Sequence, residues 1–490
     1  AITISGNYIQ NIALTSTFAG NQWAPFYIAA GAANFTIGSS GNGNTIGATS
    51  GTANIVCTDN AVNTALAIQY FAGAILSTGT STIAYNTVGG VTFNGSNTNA
   101  GKRKYGIYLD RGTLTFSNNT IGNTTGNNMI LSPVTGAITY YIYVLGTCLG
   151  TTTVSDNTIQ NLQNNAASGD FKALIALNQL TCNGNTFSGI SSASSFAVYQ
   201  SIISFEVAEA VVITSNVIKA VTFSHASSGI AIVYINNGTA TVNCSTNIIG
   251  EYGTANDITL AGNNLHRGVY FDACGAITFN LNEVQNINVT STGTNSRIIG
   301  VYAGSSCDGT NTFTNNQIDN FTCAGTGTYL IHSNYYIVEG FYLSGDGTNT
   351  YRSNTITDLA ATTTSATADL WVIGIQFLGA SGTITVEKNR ITGLTHRGTI
   401  GTIAVKIAGV RSTADGNTNF YNNVIILDNG TNTNYMPIDG FFLVPTAGTG
   451  THNFYHNTVK IAGTTSGTAI RSAWYSAAAT GTYVLRNNIF

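Results

Sequence analysis

Charge is what this chain has least of. Lys, Arg, Asp and Glu together make 8% of its 490 residues, against about 25% in ordinary soluble domains. The formal net charge is −3, which gives no electrostatic ground for a nucleic-acid or anionic-membrane partner. The one short basic cluster, "GKRKYG" at 101–106, reads as a solvated turn before a strand. Disorder does not follow from the shortage, because the apolar share is an ordinary 43%. The polar surface must therefore be neutral. No apolar run reaches about eighteen residues, so no membrane-spanning helix is expected. Proline (4) and methionine (2) are scarce. The seven cysteines form no CxxC pair, which removes the usual zinc and redox motifs. The chain opens at Ala1 without an initiator Met or a leader, and it stops inside a repeat at "NNIF"; both features read as a processed or truncated piece of a longer protein.

In place of charge stand Asn, Thr, Ser and 55 glycines, arranged in a repeat. Thr312 to Thr322, "TFTNNQIDNFT", places apolar residues three before and two after an asparagine, and "TVEKNRITGLT" does the same. The pattern runs through Ile4/Asn7/Ile9, Ile83/Asn86/Val88, Phe116/Asn119/Ile121, Val154/Asn157/Ile159, Cys182/Asn185/Phe187 and Ile213/Asn216/Ile218. It continues through Cys244/Asn247/Ile249, Phe279/Asn282/Val284, Phe313/Asn316/Ile318, Tyr351/Asn354/Ile356, Val386/Asn389/Ile391, Phe420/Asn423/Ile425 and Phe454/Asn457/Val459. A degenerate copy, Asn44 with Ile46, fills the gap after Asn7. Successive asparagines lie 28 to 42 residues apart, roughly 34 on average, which makes about fifteen repeats.

Each repeat also carries a run midway, such as "YGIYL", "GVYF", "GFYL", "GIQF" or "GFFL", with period-two alternation. The residues before and after each asparagine read as two further strands. Three short strands per repeat of roughly 34 residues, with no helical pattern, predict an all-β parallel β-helix filling residues 1–490 as one domain. Its length would be on the order of 70 Å at the strand spacing. The asparagine belongs at a corner. Asn tolerates a left-handed or bridge backbone there, and its amide can pair with the asparagines above and below in a ladder.

With "NTIGN", "NTIQNL", "NTFSGI", "NTITDL" and "NRITGL" in hand, the chain resembles the right-handed parallel β-helix repeats of large secreted proteins from Bacteroidota. Those proteins pair runs like these with runs like "GIYI". The resemblance covers essentially the whole chain and is specific for architecture. It implies an extracellular or cell-surface location, export of the type IX kind with a C-terminal sorting domain (none is recognisable here), and a structural or adhesive task.

The residues that could carry chemistry are scattered. Asp308, Asp346 and Asp415 each precede a glycine after the midway strand, which is turn chemistry before it is a stacked acidic row. His452 and His456, four apart, would face one way on a strand, but no third metal ligand lies near. Cys182 and Cys244 fill the apolar slot before the asparagine and read as small buried hydrophobes, while Cys274 and Cys307 could meet across turns. Neither a catalytic constellation, a metal site nor a cofactor is expected.

One surface feature stands out. If Val269 and Phe271 face inward, then Tyr270 faces out, and the same register places Tyr108, Tyr302, Tyr342, Gln376, Arg411, Phe442 and Arg471 outward. Flat side chains in a column suit sugar rings or another protein, or else shield the sheet. The expectation is a non-enzymatic structural or adhesive module whose partners are other copies, flanking domains, attachment machinery or glycans. A carbohydrate-active or carbohydrate-binding β-helix is the alternative. Ice binding is a remote third, prompted by Thr45, Thr87, Thr120, Thr158, Thr186, Thr355 and Thr458 just after the asparagines; the uneven repeat length speaks against it.

Overall fold

The computed structural model describes residues 2–16, 22–23, 26–32, 34–48, 55–59, 67–68, 71–75, 80–95, 103–110, 113–122, 129–132, 138–144, 151–165, 169–193, 200–206, 209–225, 229–238, 240–254, 256–325, 335–362, 370–379, 382–397, 405–428, 437–445, 450–462, 471–477 and 481–490. Contacts group the chain into two units, Ala1–Ser228 with Ile232–Asn237, and Gly229–Ala231 with Gly238–Phe490. Each is a parallel β-solenoid, and no helix occurs among the described residues.

In both units a turn carries three strand regions, and each pairs in parallel with its counterpart one turn on. The strand before the asparagine makes one sheet. In the second unit Thr310–Thr314 lies between Ala276–Asn280 and Thr348–Arg352. The residues after it make a second, as where Gln317–Cys323 meets Thr355–Ala361. The midway strand makes a third, as where Leu370–Phe377 meets Val405–Ser412. Pairing equivalent residues stacks like on like at roughly 4.8 Å. Phe313 lies face to face with Tyr351, their ring centroids 4.7 Å apart, and Phe420 stacks on Phe454 at the same distance. Phe341, from the midway sheet, closes edge-on against both Phe313 and Tyr351. Behind them Ile318, Ile356, Ile391 and Ile425 are buried from the sheet after the asparagine. Each such side chain contributes about 1.5–3 kcal/mol by leaving water.

The corner differs from expectation in one respect. The left-handed residue is not the asparagine but the one before it: Tyr85 (φ 61°), Asn118 (54°), Asp156 (56°) and Ser215 (57°) in the first unit, Leu281 (56°), Asn315 (55°), Lys388 (57°) and His456 (57°) in the second. The asparagine instead clasps this kink. Asn354 Nδ2 donates to the Phe313 carbonyl (2.9 Å) and to Asn389 Oδ1 (2.9 Å). Its Oδ1 accepts from the backbone N–H and the Nδ2 of Asn316, at 3.0 and 2.9 Å. The same set runs from Asn7 through Asn44, Asn86, Asn119, Asn157 and Asn185 to Asn216. In the second unit it runs from Asn247 through Asn282, Asn316, Asn354, Asn389, Asn423 and Asn457 to Asn488. With the kink held this way, the left-handed residue needs no special chemistry. Its side chain points to water, as the exposure of Tyr85 and Leu281 shows.

Glycine has a fixed place in the second unit. Gly268, Gly300, Gly340, Gly374, Gly409 and Gly440 open the apolar part of six successive midway strands. A Cβ at Gly374 would sit 2.6 Å from the Gly409 carbonyl oxygen and 2.7 Å from Ile391 Cγ2. Here the midway strand closes tightly on the sheet after the asparagine. Of the equivalent first-unit positions, Tyr141, Ala173, Ile202 and Ile232 hold side chains while Gly106 does not, so an unbroken row of glycines belongs to the second unit.

Chemical denaturation of single variants tests this account. Asn354→Ala strips partners from several buried groups, each costing about 1–3 kcal/mol, so a loss of roughly 3 kcal/mol or more is expected; Asn354→Asp, which buries a charge, should be worse. Leu281→Asn should instead stabilise, by about 1 kcal/mol, because Asn accepts the left-handed backbone more readily. Gly374→Val should cost about 1–3 kcal/mol by overpacking, whereas Thr350→Val on the outer surface should be near neutral. A ladder variant as stable as the parent would show that the amides merely accompany the corner.

Candidate functional site

The column singled out from the sequence exists in register. Tyr270 pairs with Tyr302, Tyr302 with Tyr342, Tyr342 with Gln376, Gln376 with Arg411 and Arg411 with Phe442. Arg471 is not its next member. Phe442 pairs with Tyr475, and the two rings stack at 4.9 Å. The local likeness of "AIRS" to "GVRS" misaligned that strand; Trp474, which pairs with Phe441, fixes the true frame. Tyr108 pairs through its backbone with Tyr143, but its side chain lies outside the described residues.

These residues do not form an open platform. Tyr270, Tyr342, Gln376 and Arg411 are buried, and Tyr302 and Phe442 half-buried. Leu265, Ile299 and Leu378 pack with Tyr342 and Tyr302, while Trp371, Ile373 and Ala408 pack with Phe442. Cations lie over the rings. The Arg267 guanidinium is 4.1 Å from the Tyr270 centroid and 4.6 Å from that of Tyr302, which itself stacks on Tyr342 at 4.6 Å. Arg411 and Lys406 each lie 5.4 Å from the Trp371 ring. Such contacts contribute about 0.5–2 kcal/mol each, more where water is excluded.

Sequence reading missed the group at the centre of this face. Glu339, three residues before Tyr342, is 2% exposed. Burial pushes its carboxyl up to about 8, although Arg297 and Arg411 pull it down. Its Oε2, and both amide atoms of the fully buried Gln376, have no hydrogen-bond partner among the described residues. The available signal was a lone acid between apolar neighbours in "IVEGFYL". A second inner amide pair was missed as well: Asn311 Nδ2 donates to Asn349 Oδ1 at 2.9 Å, on the inward face of the strand two residues before Phe313 and Tyr351. In the first unit the midway face carries an ionic cluster, in which Asp170 Oδ1 is left without a hydrogen-bond partner among the described residues. Lys172 Nζ lies 3.2 Å from Asp170 and 2.5 Å from Glu206, and the Tyr140 hydroxyl donates to Asp170 at 2.8 Å.

The remaining candidates resolve as architecture. His452 is buried, 2.7 Å from the Thr418 hydroxyl and stacked on Tyr483, whereas His456 occupies the exposed left-handed corner. The kink between them breaks the strand alternation that would have aligned them. Asp308 Oδ1 accepts from the backbone of Asp346 at 3.0 Å, and a Cβ at Gly309 would sit 1.3 Å from the Gly275 carbonyl oxygen, so the Asp-Gly pairs are stacked turns. Cys182, Cys244, Cys274, Cys307 and Cys323 are buried free thiols, and burial pushes those of Cys182 and Cys323 up to about 12.

Glu339 makes stability depend on pH. Its folded-state value lies above the ordinary carboxylate range, so the protonated form is favoured on folding. That contribution is complete below about pH 4.5 and is lost as the pH rises through about 8. Glu339→Gln should raise the melting temperature at pH 9 relative to the parent and change it least at pH 5. Equal shifts at both pH values would mean that the carboxyl is not buried as described.

Against known proteins the chain stands apart: no family model, no curated protein and no solved structure matches it.

Proposed function

We propose that this chain is a non-enzymatic structural or adhesive module of a bacterial cell-surface or secreted protein. In this reading residues 1–490 form one continuous right-handed β-helix of about fifteen coils, the coil length following the roughly 34-residue repeat. The observation that carries it is the use made of buried polar side chains. Turn after turn, the interior asparagines spend their hydrogen bonds on their neighbours in the stack, and the outer residues of the corner sheets are mostly neutral Thr, Ser and Asn, with scattered charges such as the Arg352–Glu387 pair. A body built this way offers length, rigidity and an uncharged surface. It suits an extracellular stalk exported by a type IX-like route and attached through flanking domains, with other copies or glycans as contacts.

A carbohydrate-binding reading is favoured by a separate observation. Unpartnered polar atoms of Glu339 and Gln376 lie among Tyr342, Trp371 and Arg411, and hydroxyl-rich rings meet such mixed polar and aromatic walls well.

Beads coated with the whole chain provide the test. They should adhere to one another or to bacterial cells, and the same protein incubated with a panel of pectins, alginates and algal polysaccharides should release no reducing ends. Glycan release that Glu339→Gln abolishes would replace the structural reading with an enzymatic one. Saturable capture of a soluble glycan without bead adhesion would favour the binding alternative.

A further inference from the structure

The outer face of the strand before the asparagines carries an array that neither the adhesive nor the glycan reading uses. In the first unit Thr3, Thr36, Thr82, Thr115, Thr153 and Thr181 are paired in direct register across six successive turns. Two residues earlier on the same face stand Thr80, Thr113 and Thr151, with Thr80 paired to Thr113. The second unit repeats the arrangement. Thr278, Thr312, Thr350 and Thr385 form one column, and Thr310, Thr348 and Thr383 the other. All these threonines are exposed or half-buried. Hydroxyls therefore repeat at roughly 4.8 Å between turns and roughly 6.6 Å along the strand.

We infer that this two-column threonine array is an ice-binding face, which orders water at its hydroxyls and docks onto the ice lattice. Four features of the array favour ice over other solids. The two threonine columns carry no charge; the Arg352–Glu387 pair lies two residues further along the strand and its charges offset each other. The columns hold no aromatic ring, the stacked Tyr421 and Tyr455 lying in the row beyond them on later turns, which disfavours a polysaccharide surface. Threonine is β-branched and stiff at its first torsion, so its hydroxyls are fixed before binding and little entropy is lost on docking. Each hydroxyl donates one hydrogen bond and accepts two, as an ice surface does, while the adjacent methyl excludes competing liquid water.

The uneven repeat length, which argued against ice, does not reach this face. The asparagines of neighbouring turns are separated by 42 residues between Asn44 and Asn86 but by 28 between Asn157 and Asn185. Yet Thr36 still pairs with Thr82, and Thr153 with Thr181. Register shifts occur instead in the midway sheet, at Gly73/Ile75, Phe271/Ala273 and Tyr336/Val338. The threonines just after the asparagines also stack, as Thr87 on Thr120 on Thr158. They form a single column, which Gln317, Arg390 and Val424 interrupt around Thr355 in the second unit, so they present no regular plane.

Thermal hysteresis and partition into a slowly grown ice hemisphere test the assignment with the whole chain. The parent should show measurable hysteresis and enrichment in ice. Thr115→Tyr with Thr350→Tyr, placing one bulky ring on each array, should lower hysteresis at least twofold while far-ultraviolet circular dichroism stays unchanged. The control pair Thr120→Tyr with Thr355→Tyr, on the neighbouring row, should retain it. Absence of hysteresis and of ice partition in the parent overturns the inference, as does a loss in the control pair equal to that in the array pair.

Discussion

Everything in this fold depends on one repeated set of hydrogen bonds, in which an asparagine amide receives the backbone and side chain of the turn before and donates to the turn after. Neither bond could be supplied by a residue of different shape. A carboxylate in the same place would bring like charges to the strand spacing; an apolar side chain would leave the N–H and carbonyl groups of the kink without partners in a dry interior. Because each amide donates both to the turn before it and to the turn after it, each turn finishes the corner of the one preceding it. Order passes along each unit as a nearest-neighbour property.

This division of labour explains why the rest of each repeat drifts. With the asparagine holding the left-handed kink, the kinked residue itself is Tyr, Leu, Lys or His as readily as Asn. Its side chain stands in solvent and its backbone strain, of order 1–2 kcal/mol, is borne by bonds made one residue later. The asparagine is conspicuous in the sequence, but the left-handed backbone stands one residue before it. Left-handed conformation and amide pairing are thus divided between two neighbouring residues.

Architecture was legible because it is written in period. Apolar residues at fixed offsets from Asn316 or Asn389 define inward columns, and alternation in "WVIGIQF" separates the two faces of the midway strand. What escaped reading depends on neighbours distant in sequence. The register of Tyr475 rather than Arg471 beside Phe442 is set by Trp474 packing inside. The burial of Glu339 is set by side chains on the turns before and after it, which no local pattern encodes. His452 and His456 looked like a pair because strand alternation was extended through a corner that ends it.

The two outer faces differ in what they ask of a partner. On the midway face, rings and guanidinium groups are already engaged with one another: Arg267 over Tyr270 and Tyr302, Arg411 over Trp371. A ligand there would have to match or displace contacts made in a dry setting, where each is strong. The threonine face has made few such commitments. Its hydroxyls are held in place by a sheet that takes its regularity from the corner, while the variation in repeat length falls elsewhere. A surface of regular spacing is thus a consequence of the amide ladder: the bonds that fix each turn upon the last also fix the spacing at which the chain meets whatever lies outside it.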